Sequence, residues 1–166
     1  MTRAQIEIIE TPELGDRSYV AAYRGTAVVV DPQRDIDRVQ AVLDRHDWTA
    51  THVGETHVHN DYVSGGLVLA EQLGATYVVP KGHNYHFEAT IVADGDVFFS
   101  GEMTWQVLPT PGHTPHRVSY AMSIGTQVEA VFTGGSLLFG SVGRPDLIGP
   151  DTTEELAHAQ WHSVRT

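Results

Sequence analysis

The chain has 166 residues, a length typical of one domain with a sizeable hydrophobic core. Hydrophobic residues make up 41% of it, and no apolar run approaches the roughly 20 residues that a membrane-spanning helix needs. There are no cysteines, which excludes disulfides, cysteine-ligated zinc and a cysteine nucleophile. The formal net charge of -11, without a basic cluster, argues against nucleic-acid binding. The first residues carry no apolar signal segment, so we expect a cytoplasmic protein that contacts no membrane.

Strands and helices alternate in the first half of the chain. β-Branched and alternating runs predict strands at 6–9, 19–23, 27–30, 51–56 and 76–79. Asp35 is placed to cap a first helix, and Gly74 to end a second one that begins at Ser64. The stretch 51–79 is therefore predicted to be a βαβ crossover.

The second half is predicted to be mainly strands. The stretch 81–91 is polar and aromatic, and we expect its two histidines, His83 and His86, to lie at the surface. Strands are predicted at 97–99, 104–108, 118–122 and 129–132. Thr152 and Glu155 have the spacing of a capping box, which predicts a helix that continues to the chain end.

A His-x-His-x-Asp motif lies at the turn between the strand at 51–56 and the following helix. Residues two apart in an extended segment point the same way, so His57, His59 and Asp61 can converge on one point. Imidazole and carboxylate groups suit zinc, iron or manganese. The alternative is that these histidines are ordinary surface groups.

A second histidine loop favours the metal site. His113 lies in the segment 108–116, after a predicted strand, in a loop with three prolines and one glycine. Two histidine-bearing loops that each follow a strand are what a metal site at strand ends requires. This interpretation makes His57, His59 and His113 the candidate metal ligands.

The two motifs together resemble those of the metallo-β-lactamase fold superfamily. The segment 56–61 is similar to its first metal motif and 110–114 to its second. The segment 132–138, followed by 143–146, is most similar to the persulfide dioxygenase and glyoxalase II branch. The resemblance implies an α+β fold, an αββα sandwich without its C-terminal part, with the metal at the strand-end edge.

Two departures from the family pattern affect the expected site. Tyr62 stands where the family has a histidine ligand of a second metal, and Gly135 stands where it has a bridging aspartate. The late histidine of the family has no match either. We therefore expect no two-metal site, and a mononuclear Fe(II) or Zn(II) on the three histidines. Asp61 is the candidate base or orienting group, and Tyr62 either donates a hydrogen bond to a bound anion or packs as an aromatic ring.

The resemblance implies three alternative functions. The first is oxidation of a low-molecular-weight persulfide at a mononuclear iron. The second is zinc-dependent hydrolysis of a thioester or ester, as in glyoxalase II. The third is a degenerate, non-catalytic domain. We expect a single domain over 1–166, in the first case as part of a longer chain with a C-terminal rhodanese-like domain, and leave a homodimer open.

Two smaller questions concern loops near the motifs. Gly65 and Gly66 either let backbone amides approach an anion or permit close packing of helix against sheet. Arg144 and Asp146 are predicted to pair and shape a loop beneath the site, with a substrate role for Arg144 as the alternative.

Overall fold

The structure is a computed structural model that describes residues 3–165. The expected absence of a signal segment rests partly on Met1 and Thr2, which lie outside the described residues, as does Thr166. The elements in chain order are β1 (Gln5–Thr11), β2 (Asp16–Tyr23), β3 (Thr26–Val30), α1 (Asp37–His46), β4 (Thr49–Gly54), α2 (Gly66–Leu73), β5 (Thr76–Pro80), β6 (Thr90–Val92), β7 (Val97–Ser100), β8 (Met103–Pro109), β9 (Val118–Ile124), β10 (Gln127–Phe132) and α3 (Pro150–Ser163).

The strands form two sheets. The first has the order β1-β2-β3-β4-β5-β6 and the second the order β10-β9-β8-β7. β1, β2 and β3 pair antiparallel, whereas β3 to β6 pair parallel. Helices α1 and α2 supply the crossovers from β3 to β4 and from β4 to β5, and the helix-free segment 81–89 connects β5 to β6. The second sheet is antiparallel throughout. The predicted βαβ unit is confirmed.

Strand β3 shows how the layers pack. Val28 and Val30 point into the core between the two sheets, where they join Trp105. Val29 points the other way, into the core between the first sheet and the helices. A strand buried on both faces reads as a continuous apolar run, which is why 27–30 shows no alternation. The predicted α+β sandwich is confirmed.

Four helix boundaries differ from the predictions. Helix α2 begins at Gly66 rather than at Ser64. Ile36, not Asp35, precedes α1, and no side chain caps that helix; the Asp35 carboxylate contacts Arg38 instead. Helix α3 begins at Pro150 after Gly149, so the capping-box prediction is wrong, because proline in the first turn starts the helix earlier. The helix also ends at Ser163 rather than continuing further. Within residues 3–165, no helix combines the length and the hydropathy needed to cross a bilayer.

Candidate metal centre

The ends of several strands meet at one edge of the sandwich. Because β3 and β4 are parallel, the residues that follow them lie side by side, and the Asp31 N–H donates to the Gly54 carbonyl at 2.9 Å. The start of β9 joins this edge, since the Val118 N–H donates to the Thr56 carbonyl at 2.9 Å. A cavity of about 640 Å³ opens there. It is lined among others by His57, His59, Asp61, Tyr62 and His113.

The hydrogen bonds of His57 determine which of its nitrogens is free. The Thr56 hydroxyl donates its one proton to Asp31 Oδ2 at 2.7 Å. It therefore accepts from His57 Nδ1 at 2.9 Å, which leaves a bare lone pair on Nε2. Burial, then the charges of His59 and Arg117, lower the pKa of His57 to about 3. His57 is thus a neutral imidazole, the form that binds metals.

His113 is held in the same tautomer by different means. Its Nδ1 lies 3.0 Å from the Arg144 carbonyl, which can only accept, so Nδ1 carries the proton and Nε2 is free. Burial lowers the pKa of His113, which favours the neutral ring. The ring centroids of His57 and His113 are 5.2 Å apart at an interplanar angle of 80°. The structure therefore brings the two distant histidine loops together.

His59 lies beside His57, with ring centroids 4.1 Å apart, but is oriented differently. Its Nε2 is 3.0 Å from the Tyr62 hydroxyl, 3.1 Å from Asp31 Oδ1 and 3.4 Å from Glu55 Oε2, whereas its Nδ1 is 3.8 Å from Asp61 Oδ1. Both ring nitrogens therefore face protein oxygens, and Nδ1 is the nitrogen on the Asp61 side that a metal could use. Burial opposes a charge here, but Asp31 and the other carboxylates outweigh it and raise the pKa of His59 to about 12. A metal at Nδ1 would displace a proton.

Asp31 connects these histidines and was not identified from the sequence. Its backbone φ is 52°, an uncommon conformation for a residue other than glycine and one that costs free energy. The Ser18 hydroxyl donates a hydrogen bond to the Asp31 backbone carbonyl at 2.7 Å. Burial raises its pKa, but His59, His57 and the Thr56 N–H outweigh this and lower it, so Asp31 is a carboxylate. A carboxylate directly after a strand of a parallel sheet is the sequence signal that could have identified it.

Glu55 is the second buried carboxyl group at this edge. Its Oε1 accepts from the hydroxyls of Ser64 and, at 3.1 Å, Tyr77, while Oε2 has no hydrogen-bond partner. Burial raises its pKa. Ligand atoms of Asp31, Glu55 and His59 lie within 4.8 Å of one another, so among the described residues this group, rather than the three histidines, has the spacing of a metal cluster. In that cluster the His59 N–H already lies against the two carboxylates, which orients the ring.

The two predicted catalytic residues lie on opposite sides of His59. Asp61 borders the cavity with 47% of its side chain exposed, and the nearby His59 lowers its pKa to about 2, so it is ionised. Tyr62 stacks on His59 at 4.3 Å and its hydroxyl donates to the Asp31 carbonyl at 3.3 Å. Burial and the surrounding carboxylates raise the pKa of Tyr62 far above its usual value. Tyr62 therefore stays a phenol that supports His59, and catalytic roles for both residues remain predictions.

The position of the expected aspartate is crowded by a buried arginine. A Cβ atom at Gly135 would lie 3.0 Å from both Arg117 Nη1 and His113 Cδ2. Arg117 is only 2% exposed, and its one hydrogen bond goes from Nη2 to the Thr133 carbonyl at 3.1 Å. Sequence reasoning missed Arg117, although a charged residue that precedes a buried strand is an available signal.

The remaining loop predictions can now be resolved. A Cβ atom at Gly66 would overlap the Glu55 carboxylate and lie 2.6 Å from Tyr77 Cε2, so close packing explains this glycine. Arg144 pairs with Asp146 through two hydrogen bonds of 2.8 Å, as predicted. The other histidines lie away from the cavity lining: His46, His52, His83, His86, His116, His158 and His162.

One metal ion on the three histidines remains a prediction. His57 and His113 each have Nδ1 engaged by a protein oxygen and Nε2 free, which is the usual arrangement of metal-binding histidines, whereas both ring nitrogens of His59 face protein oxygens. A second ion would need ligands where Tyr62 and Gly135 stand, and neither supplies one. Three nitrogen ligands with open positions suit zinc or ferrous iron.

Comparisons with known proteins agree with this architecture. No protein-family model matches the chain. The hydroxyacylglutathione hydrolase of Brucella anthropi is 35% identical over 112 residues, which cover 66% of this chain and 42% of that protein. The corresponding enzyme of Rhizobium etli is 29% identical and covers 85% and 52%. The chain thus spans about half the length of the curated relatives it matches.

Two solved structures cover nearly all of the chain. A metallo-β-lactamase from Staphylococcus aureus superposes with a TM-score of 0.89 at 28% identity, covering 99% of this chain and 52% of the other. ETHE1 from Myxococcus xanthus superposes with a TM-score of 0.80 at 30% identity, covering 97% and 68%. The chain belongs to the metallo-β-lactamase fold superfamily. Within it, the chain falls in the branch of persulfide dioxygenases and glyoxalase II.

Proposed function

We propose that this chain oxidises a low-molecular-weight persulfide at one ferrous ion held by His57, His59 and His113. The observation that carries the proposal is the hydrogen bonding of the three rings. His57 Nδ1 is bound by Thr56 and His113 Nδ1 by Arg144, which leaves Nε2 of each ring for a metal. His59 Nε2 contacts the Tyr62 hydroxyl at 3.0 Å and Asp31 Oδ1 at 3.1 Å, so Nδ1, which faces Asp61, is the nitrogen that we assign to the metal.

The absence of second-site ligands favours this chemistry over hydrolysis. Thioester hydrolysis in this branch usually uses two metals, and Tyr62 and Gly135 remove ligands of the second. A single ion with open positions is sufficient for a sulfur ligand and dioxygen. Bound ferrous iron would supply the redox chemistry between them.

The overall reaction balances without a further reductant. One persulfide, one dioxygen and one water give one thiol, one sulfite and two protons; the outer sulfur is oxidised and dioxygen is reduced. We assign to Asp61, half-exposed at the cavity edge, the role of accepting a proton released there, on its position alone. Asp31 keeps His59 oriented during the reaction.

The test measures metal and oxygen on the same preparation. Protein expressed with iron and purified without oxygen should hold about one iron per chain, and His57→Ala should hold only traces. The loaded protein should consume oxygen with glutathione persulfide and form sulfite. An iron-loaded protein that consumes no oxygen with this substrate would contradict the proposal.

Zinc-dependent thioester hydrolysis is the second candidate, supported by the hydroxyacylglutathione hydrolases among the relatives. Turnover of lactoylglutathione by zinc-loaded protein, abolished by a chelator, would favour it. A protein that holds only trace metal after expression with iron or with zinc would instead support a non-catalytic domain.

A further inference from the structure

The Arg117 guanidinium is the least well paired buried charge near the candidate centre. It is 2% exposed, and both Nε and Nη1 lack a hydrogen-bond partner. Within residues 3–165, no carboxylate forms an ion pair with it. Burial lowers the pKa of Arg117 to about 10 and the charge of Asp31 only partly opposes this, so Arg117 remains charged at neutral pH. An uncompensated buried charge is costly and requires an explanation.

The position of Arg117 relates this charge to the metal ligands. A Cβ atom built on Gly135 would lie 3.0 Å from Arg117 Nη1 and 3.0 Å from His113 Cδ2. Arg117 and the ligand His113 therefore border the same position. The family pattern has a carboxylate there. This chain therefore lacks a negative ligand and has a buried positive group behind the same position.

The nearby carboxylates form no ion pair with Arg117, although the charge of Asp31 acts on it at a distance. Both oxygens of Asp31 are bound by Thr56, and Oδ1 also contacts His59. Glu55 lies against His59, Ser64 and Tyr77. Asp61 contacts His59 on the side of the cavity. A divalent ion on the three imidazoles would add more positive charge near Arg117.

We propose that Arg117 makes the open position of the metal select anionic ligands, so that the substrate binds as a sulfur anion rather than as a neutral thioester. This inference rests on the proposed metal site and deepens it. Arg117 acts through its electric field, since Nε and Nη1 are buried beneath other protein atoms. A charge in a water-poor site acts more strongly than one in water. Arg117 is thus a specificity-determining residue.

The experiment compares an anionic and a neutral ligand on the same metal. Azide and imidazole are titrated into Co(II)-loaded protein at constant ionic strength, and the visible absorption of the ion reports binding. In Arg117→Met the azide affinity should fall by about tenfold or more, while the imidazole affinity stays within about twofold of native. Arg117→Lys, which keeps the charge, should bind azide nearly as well as the native chain.

The controls keep the outcomes separate. Arg117→Gln loses the charge but can still donate to the Thr133 carbonyl, so it repeats the test if Arg117→Met does not fold. Thermal denaturation of each variant shows that it is folded. Equal azide affinity in a folded, loaded charge-free variant, or a parallel loss of azide and imidazole binding, would overturn the role of Arg117 alone. Failure of the native chain to bind Co(II) would overturn the proposed centre as well.

Discussion

Asp31 binds Thr56 through both oxygens of its carboxylate. The Thr56 N–H donates to Oδ1 and the Thr56 hydroxyl to Oδ2, each at 2.7 Å. Because the hydroxyl proton is used in this way, the hydroxyl can only accept from His57. The carboxylate therefore sets the tautomer of a histidine that it does not touch.

Removing the Thr56 hydroxyl should weaken metal binding without removing a ligand. In Thr56→Val, Asp31 Oδ2 and His57 Nδ1 both lose their shared partner, so His57 is free to change tautomer. We expect a loss of about 10-fold to 100-fold in zinc affinity and of about 1–3 kcal/mol in the free energy of unfolding. Competition with a chromophoric chelator measures the first, and urea denaturation the second.

Thr56→Ser is the matched control for this prediction. It keeps the hydroxyl and should retain zinc affinity within about threefold. If valine and serine variants bound zinc equally well, the proposed relay through Thr56 would be incorrect.

The histidine loop after β8 offers a matched pair for the metal site. His113→Ala should lower bound metal to trace levels, because it removes one of three proposed ligands. His116→Ala should leave metal content unchanged, since the His116 ring contacts His83, with centroids 5.5 Å apart. Elemental analysis of both variants after identical purification makes the comparison. Equal metal loss in the two would place the site elsewhere in the loop.

The two glycines after β10 should respond differently to aspartate. In Gly135→Asp the new Cβ atom would lie 3.0 Å from Arg117 Nη1 and His113 Cδ2, a close contact that small shifts can relieve. The new carboxylate would pair with Nη1, which has no hydrogen-bond partner. We expect a change in stability within about 1 kcal/mol. Gly134→Asp should be destabilised by about 2 kcal/mol or more, because its φ is +50° and its Cβ would overlap Thr56 and Arg117.

Thermal denaturation of the two aspartate variants distinguishes these cases. A lower melting temperature for Gly135→Asp than for Gly134→Asp would show that Gly135, and not Gly134, is needed for packing.

The parts of the site that were predictable from the sequence are local in the chain. His57 and His59 lie in one turn, and the rigid loop around His113 follows a strand, so their spacing alone indicated ligands at strand ends. Asp31 and Arg117 are different. Asp31 matters because β3 pairs with β4, and Arg117 because the loop after β10 approaches β9. Such pairings join residues distant in sequence, and no local pattern contains them.

The predicted starts of α1 and α3 were wrong for another physical reason. Asp35 and Thr152 are both good capping residues, but the chain offered competing starts nearby. The Asp35 carboxylate forms an ion pair with Arg38 instead of capping α1. Helix α3 begins at Pro150, two residues before Thr152. Capping preferences are worth about 1 kcal/mol, which tertiary contacts easily exceed.

Because Gly66 has no side chain, the start of α2 packs closely against the buried Glu55 carboxylate. This close contact gives a last prediction. In Gly66→Ala the new methyl group would overlap Glu55 and lie 2.6 Å from Tyr77 Cε2, so either the helix or the Glu55 side chain must move. We expect a loss of about 1–3 kcal/mol in the free energy of unfolding. Val68→Ala on the half-exposed face of the same helix should cost about 0.5 kcal/mol or less. Urea denaturation of both variants tests the difference, and equal stabilities would show that α2 does not depend on this close contact.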